Sequence, residues 1–148
     1  MVNEDNAQAA GVYRTNQVGV RKSDGEIYSF IAPLNISNEM SQFVNWVQQT
    51  KNLHPVIKAA ELHYQFFTIH PFVDGNGRTV RLLMNLALMS SGYIPALIKI
   101  ENRAQYILGL EKAQQTGDKL DFYQVIAKAQ LNSLQQYIML ASTDIELI

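Results

Sequence analysis

The stretch His70-Pro71-Phe72-Val73-Asp74-Gly75-Asn76-Gly77-Arg78-Thr79-Val80-Arg81 runs directly into Leu82-Leu83-Met84-Asn85-Leu86-Ala87-Leu88-Met89. A glycine-framed turn opening onto an apolar run reads as a loop followed by a buried helix whose N-terminus lies at the turn. Unpaired N–H groups and the positive end of the helix dipole then face whatever anion sits there. Arg78 and Arg81 are three apart on that helix and repel each other unless something strongly negative lies between them. A di- or triphosphate meets that demand better than a single carboxylate, and His70 sets a proton acceptor beside it.

The chain has 148 residues, 47% of them hydrophobic, which is one domain's worth and enough for a core without covalent staples. Residues 1–10 carry little pattern and are expected to be a disordered or linker segment. Residues 11–148 are expected to form a single core, and whether that core is a fragment of a longer protein stays open. The formal net charge of −1 gives no global attraction to nucleic acid or to an anionic membrane, so phosphate recognition must come from a local cluster such as the Arg pair. Without cysteine there are no disulfides, thiolate nucleophiles or thiolate metal sites. No apolar run reaches membrane-spanning length, and the first residues are acidic where a signal peptide is basic. Cytoplasm is the default compartment.

Short β-prone runs flank Ser23-Asp24-Gly25, a hairpin signal over about residues 17–30. Pro33 closes it, and Ser37 or Asn38 is expected to cap a helix with Met40, Phe43, Val44 and Val47 on one face, running to about Thr50. Pro55 suits the first position of a second helix, apolar on most sides, with His54 as its cap or turn residue. His63 on it reads as a core histidine, and Trp46 as core too. The motif helix spans about 76–91 with Gly92 at its C-cap, a further helix about 102–115 ends at Gly117, and the last starts with Asp121 as N-cap. The last helix carries an apolar stripe through Phe122, Val125, Ile126, Ala129, Leu134, Tyr137 and Ile138. The fold class is therefore all-α, a helical bundle with one small β-hairpin.

Each motif residue has a task if ATP is split between its α and β phosphates and AMP moves to a hydroxyl. His70 is a base effective near neutrality. Asp74 is a hard oxygen ligand for Mg²⁺. Asn76 and the N–H groups around Gly75 and Gly77 can stabilise charge on the α-phosphate. Arg78 and Arg81 can hold the departing pyrophosphate. A Ca²⁺ loop fails for want of spaced carboxylates and a terminal Glu, and a His63/His70 zinc site lacks a third ligand.

Residues 70–81 resemble the Fic-domain signature His-Pro-Phe-x-[Asp/Glu]-Gly-Asn-Gly-Arg-x-x-Arg at every fixed position. The resemblance extends from Gly11-Val12-Tyr13-Arg14-Thr15 and Gln17-Val18 through Asn52-Leu53-His54-Pro55 to about Ala141, and is nearest to the animal and bacterial Fic proteins that adenylylate hydroxyl side chains. It implies a Fic-type bundle with a hairpin flap over the active site. It further implies His70 as base, Asp74 as ligand of Mg²⁺ or Mn²⁺, Gly75, Asn76 and Gly77 as phosphate cradle, and Arg78 and Arg81 on the β and γ phosphates of ATP. The protein target would pair with the hairpin at 17–30 by strand addition, placing a Ser, Thr or Tyr hydroxyl at His70. Tyr106 and Gln114 are the candidates for the adenine pocket. Many Fic proteins restrain themselves with a helix bearing [Ser/Thr]-x-x-x-Glu-[Gly/Asn]; here Ser142 and Glu146 have that spacing, with Leu147 where Gly or Asn is expected, which makes Glu146 the inhibitory candidate. Removal of AMP, self-modification, UMP or GMP transfer, a homodimer, and a nucleotide-binding recognition module with weak or no catalysis stay open as alternatives.

Overall fold

The computed structural model describes the backbone of residues 10–145 and the side chains of 10–142. In chain order it holds strands β1 (Gly19–Arg21) and β2 (Ile27–Ser29), then helices α1 (Ile36–Gln49), α2 (Pro55–Ile69), α3 (Asn76–Ser90), α4 (Arg103–Thr116) and α5 (Leu120–Ile145). The all-α expectation with a small hairpin holds. The chain divides into two compact units, one of Met1–Leu53 with Glu61–Leu83 and one of His54–Ala60 with Met84–Ile148.

In the first unit β1 and β2 pair antiparallel with Gly19 opposite Ser29, Val20 opposite Tyr28 and Arg21 opposite Ile27. The connecting turn needs Gly25, which sits at φ 89°, and Asp24 Oδ1 accepts from the Glu26 N–H at 2.9 Å. Below the hairpin an aromatic cluster forms the core, with Phe43 edge-on to Phe66 at 5.9 Å and Phe30 edge-on to Phe67 at 5.9 Å. α1 begins one to two residues before the caps expected at Ser37 and Asn38. The chain is already turning as a 3-10 helix over Pro33–Asn35, because Pro33 presets the helical φ, so no side-chain cap is made. Trp46 is half-buried rather than core: with Phe43, Tyr64, Thr68 and Ile69 it lines an open groove of about 340 Å³. Val44, expected on the apolar face, is exposed.

His54 caps α2 as expected. Its carbonyl accepts from Lys58 N at 2.9 Å, and its Nδ1 accepts from Val56 N at 3.3 Å. α2 is the most buried helix, and its His63 is fully covered with its ring stacked on Phe67. Burial, with the Arg81 charge second, pushes the His63 pKa down to about 3, so it is neutral in the folded protein.

In the second unit α3 ends where Gly92, at φ 82°, lets Tyr93 N reach Leu88 O at 3.0 Å, the double-bonded glycine cap expected from sequence. α3 is not buried all round. Val80, Met84 and Leu88 are covered, whereas Leu82, Leu86 and Met89 are exposed. α4 ends at Gly117, φ 77°. α4 and α5 touch backbone to backbone at Gly109, where a Cβ would lie 3.0 Å from Phe122 Cα. The α5 cap moves from Asp121 to Asp118, whose Oδ1 accepts from Leu120 N at 3.0 Å, while Lys112 Nζ donates to both Asp118 Oδ2 and Asp121 Oδ2 at 2.9 Å. Of the α5 stripe, Phe122, Ile126 and Ala129 are buried but Leu134, Tyr137 and Ile138 are exposed. No helix among the described residues is long and apolar enough to cross a membrane.

Candidate active site

α2 ends with an unusual cap. His70 N still donates to Phe66 O at 3.0 Å, and then His70 itself turns to φ 51°, the only non-glycine at positive φ among the described residues. That left-handed position after a helix normally belongs to Gly. Here it aims an imidazole out of the helix end. The ring lies flat against Phe30, 3.9 Å between centroids at 16°, and its Nδ1 is 3.3 Å from Phe67 O. A carbonyl only accepts, so Nδ1 carries the hydrogen and Nε2 is left as the proton acceptor. Burial holds the His70 pKa below its ordinary 6.5 against the opposing bond to Phe67, and the Arg14 charge lowers it further. The ring is therefore neutral at pH 7, as a base must be.

The loop from Pro71 to Gly75 is closed by Asn76, which is buried and whose amide holds both main-chain polar groups of one residue, Phe72. Its Oδ1 accepts from Phe72 N at 2.9 Å and its Nδ2 donates to Phe72 O at 2.7 Å. Asn76 thus shapes the loop with its side chain and leaves its backbone N–H open to the cleft. Gly75 stands at φ 83° and caps α3, its carbonyl accepting from Thr79 N at 2.9 Å, which leaves the Asn76 and Gly77 N–H groups unpartnered among the described residues. A Cβ on Gly77 would meet only the flexible end of Arg81, at 3.8 Å.

Arg78 and Arg81 project from the first turn of α3. Arg78 Nη2 pairs with Asp74 Oδ2 at 3.2 Å across an exposed i,i+4 step, and Asp74 Oδ1 accepts from Gly75 N at 2.6 Å. Arg81 is exposed and makes no side-chain hydrogen bond among the described residues. Together His70, residues 73–78 and Arg81 line one cleft of about 310 Å³. The cleft offers a bare imidazole nitrogen, two open amides at a helix N-terminus, two guanidiniums and one carboxylate, which is equipment for binding an anionic phosphate chain and taking a proton next to it.

Every sequence candidate between 70 and 81 except Asn76's amide faces this cleft. Tyr106 and Gln114 belong to the second unit. Tyr106 is buried with its ring 5.9 Å from Phe122, and Gln114 Nε2 is buried with no hydrogen bond among the described residues. Glu146 lies outside the described residues. Two neighbours of His70 were missed: Phe30, whose ring stacks on it, and Arg14, whose Nε donates to its carbonyl at 2.8 Å. Neither carries a local signal, because both act across long sequence separations.

A helical fold that sets a neutral histidine over an open helix N-terminus is suited to handling phosphate. Residues 2–88 match the Fic/DOC family, and the chain belongs to that family. It is 39% identical over 131 residues to the protein adenylyltransferase fic-1 of Caenorhabditis briggsae, covering 87% of this chain and 25% of that protein. It is 42% identical over 134 residues to the protein adenylyltransferase Fic of Drosophila mojavensis, covering 89% and 26%. A solved structure of Fic-1 from C. elegans superposes with a TM-score of 0.81 at 35% identity, covering 93% of this chain and 39% of that one. The chain thus spans about a quarter of the length of these curated relatives.

Proposed function

We propose that this chain carries the catalytic core of a protein adenylyltransferase, moving AMP from ATP to a Ser, Thr or Tyr hydroxyl of a target protein. The observation that supports it most is the meeting, in one cleft, of a bare His70 Nε2 with the open first turn of α3. His70 takes the hydroxyl proton as the hydroxyl oxygen bonds to the α-phosphorus. The bond from that phosphorus to the bridging oxygen breaks, and pyrophosphate leaves with the electron pair. The Asn76 and Gly77 N–H groups stabilise charge on the α-phosphate, and Arg78 and Arg81 hold the β and γ phosphates.

Arg78 must leave Asp74 to do this. An exposed pair of this kind contributes about 0.2–1 kcal/mol, so the exchange is easy. Asp74 then fits a Mg²⁺ or Mn²⁺ ion: it is one exposed hard oxygen donor at the cleft rim, suited to an ion that takes its other ligands from phosphate and water. When bound, the ion supplies charge neutralisation on the phosphates. The exposed hairpin strands, each with one unpaired edge, suit docking of an extended target segment by strand addition.

Incubating the chain and its His70→Ala variant with Mg²⁺ and each nucleoside triphosphate, then weighing intact protein and candidate target, tests the proposal. An AMP increment from ATP alone, absent in the variant, is expected. Equal transfer by the variant would remove the base, and ATP binding with no product on any target would make the chain a recognition module. Because the base acts unprotonated and its pKa lies below 6.5, the rate should be flat above that pH and fall on acidification below it.

A further inference from the structure

Arg14 is buried at 2% exposure, yet no carboxylate pairs with it among the described residues. Its guanidinium is caged by main-chain oxygens. Nε donates to His70 O at 2.8 Å, Nη1 to Asn16 O at 2.9 Å, and Nη2 to Ile31 O and, at 3.5 Å, to Ile69 O. Its own N–H donates to Pro71 O at 2.9 Å. Three successive carbonyls, 69 through 71, therefore converge on one residue. They do so because His70 is at positive φ, which swings the helix-ending carbonyls inward.

A buried cation without a counter-ion is costly, and a tie between loops is achievable with neutral groups. What calls for a cation is the C-terminus of α2, where the dipole is negative and the last carbonyls lack intrahelical donors. Glycine would take the left-handed position there without strain, but glycine has no imidazole. Arg14 supplies from outside the stabilisation that a glycine cap would supply from within. The same guanidinium holds Ile31, two residues past β2 and next to Phe30, whose ring lies on the His70 imidazole.

We infer that Arg14 is a positioning residue: it locks His70 in its left-handed backbone conformation and fastens the base of the hairpin to the same point, so that base and target-docking strand keep one register. This rests on His70 being the general base. The phosphate cradle is built separately, by Gly75, Asn76 and the Arg pair, and Arg14 touches none of its side chains.

The test uses Arg14→Ala, Arg14→Lys and, in parallel, His70→Ala. Arg14→Ala should lower kcat about 10- to 100-fold. Mg·ATP should bind with unchanged stoichiometry and an affinity within about twofold. The acid limb of the rate profile should move to higher pH, since the nearby positive charge is gone. Millimolar guanidinium should restore several-fold of the lost rate. Arg14→Lys, one ammonium in place of a fork, should fall between wild type and Ala. Imidazole nitrogen NMR, which needs no turnover, should show the Nδ1–H form dominant in the wild type and mixed in Arg14→Ala. An unchanged kcat, or a rate loss matched by lost ATP stoichiometry, would overturn the inference, as would an unmoved acid limb without guanidinium rescue. Transfer by His70→Ala would instead bring down the base reading, and the NMR comparison would still report whether Arg14 holds the ring.

Discussion

The hairpin turn at 22–26 and the motif loop at 71–75 are built from the same local parts and end up with opposite character. Each has a glycine at positive φ, Gly25 at 89° and Gly75 at 83°, and each has an aspartate accepting from a nearby backbone N–H. The hairpin turn is otherwise tied by Lys22 to two exposed acids, Asp24 and Glu26. The motif loop has Asn76 buried beneath it, Arg14 clamping its first carbonyls, and Tyr13 and Phe66 rings against Phe72. Local turn chemistry bends the chain in both places. The difference lies in what packs beneath: of the two, the motif loop has a buried amide and aromatic rings under it, the kind of support that preorganises a site.

Disturbing the buried side of the motif loop should cost the most. Asn76→Ala strands the Phe72 N–H and C=O and should cost about 2–5 kcal/mol, with a matching fall in transfer rate, read by thermal melts and kcat/KM. Acid should weaken the same buried region. The His63 pKa falls from 6.5 unfolded to about 3 folded, so stability from its neutral form is complete above 6.5 and lost as pH drops from 6.5 toward 3. The His63 share of the slope should approach roughly 1.4 kcal/mol per pH unit in that window and be lost in His63→Leu, leaving the part that His70 contributes, measured by denaturant titration at several pH values. Gly75→Ala and Gly25→Ala sharpen the contrast. Both should lose about 1–2 kcal/mol of stability to left-handed strain, but only Gly75→Ala should weaken Mg·ATP binding by calorimetry. At the small end, Asp24→Ala should stay within about 0.5 kcal/mol and leave ATP affinity unchanged.

The cleft was legible because its chemistry is contiguous. Glycines, base, acid and guanidiniums lie within twelve positions of one loop and helix start, so local rules of turn and dipole assembled them without knowledge of the rest. The same is true of Pro55 opening α2 and of Gly92 and Gly117 ending α3 and α4. Readings failed where two local options competed or burial decided. The α5 cap expected at Asp121 falls on Asp118, and Lys112 pairs with both carboxylates. Trp46 and the far half of the α5 stripe had the right periodicity, but no described neighbour covers them fully.

What the sequence determined by itself was the helical class, the hairpin, the family and the set of groups that line the cleft, since each follows from residues within a few turns of one another. Only the tertiary structure decided how those groups are held. It put Arg14 on the carbonyl of a residue 56 positions away, turned the Asn76 amide inward onto Phe72, and laid Phe30 on the His70 ring. Such contacts depend on which buried carbonyl is left without a donor once helices have packed, and that need exists only in the folded chain.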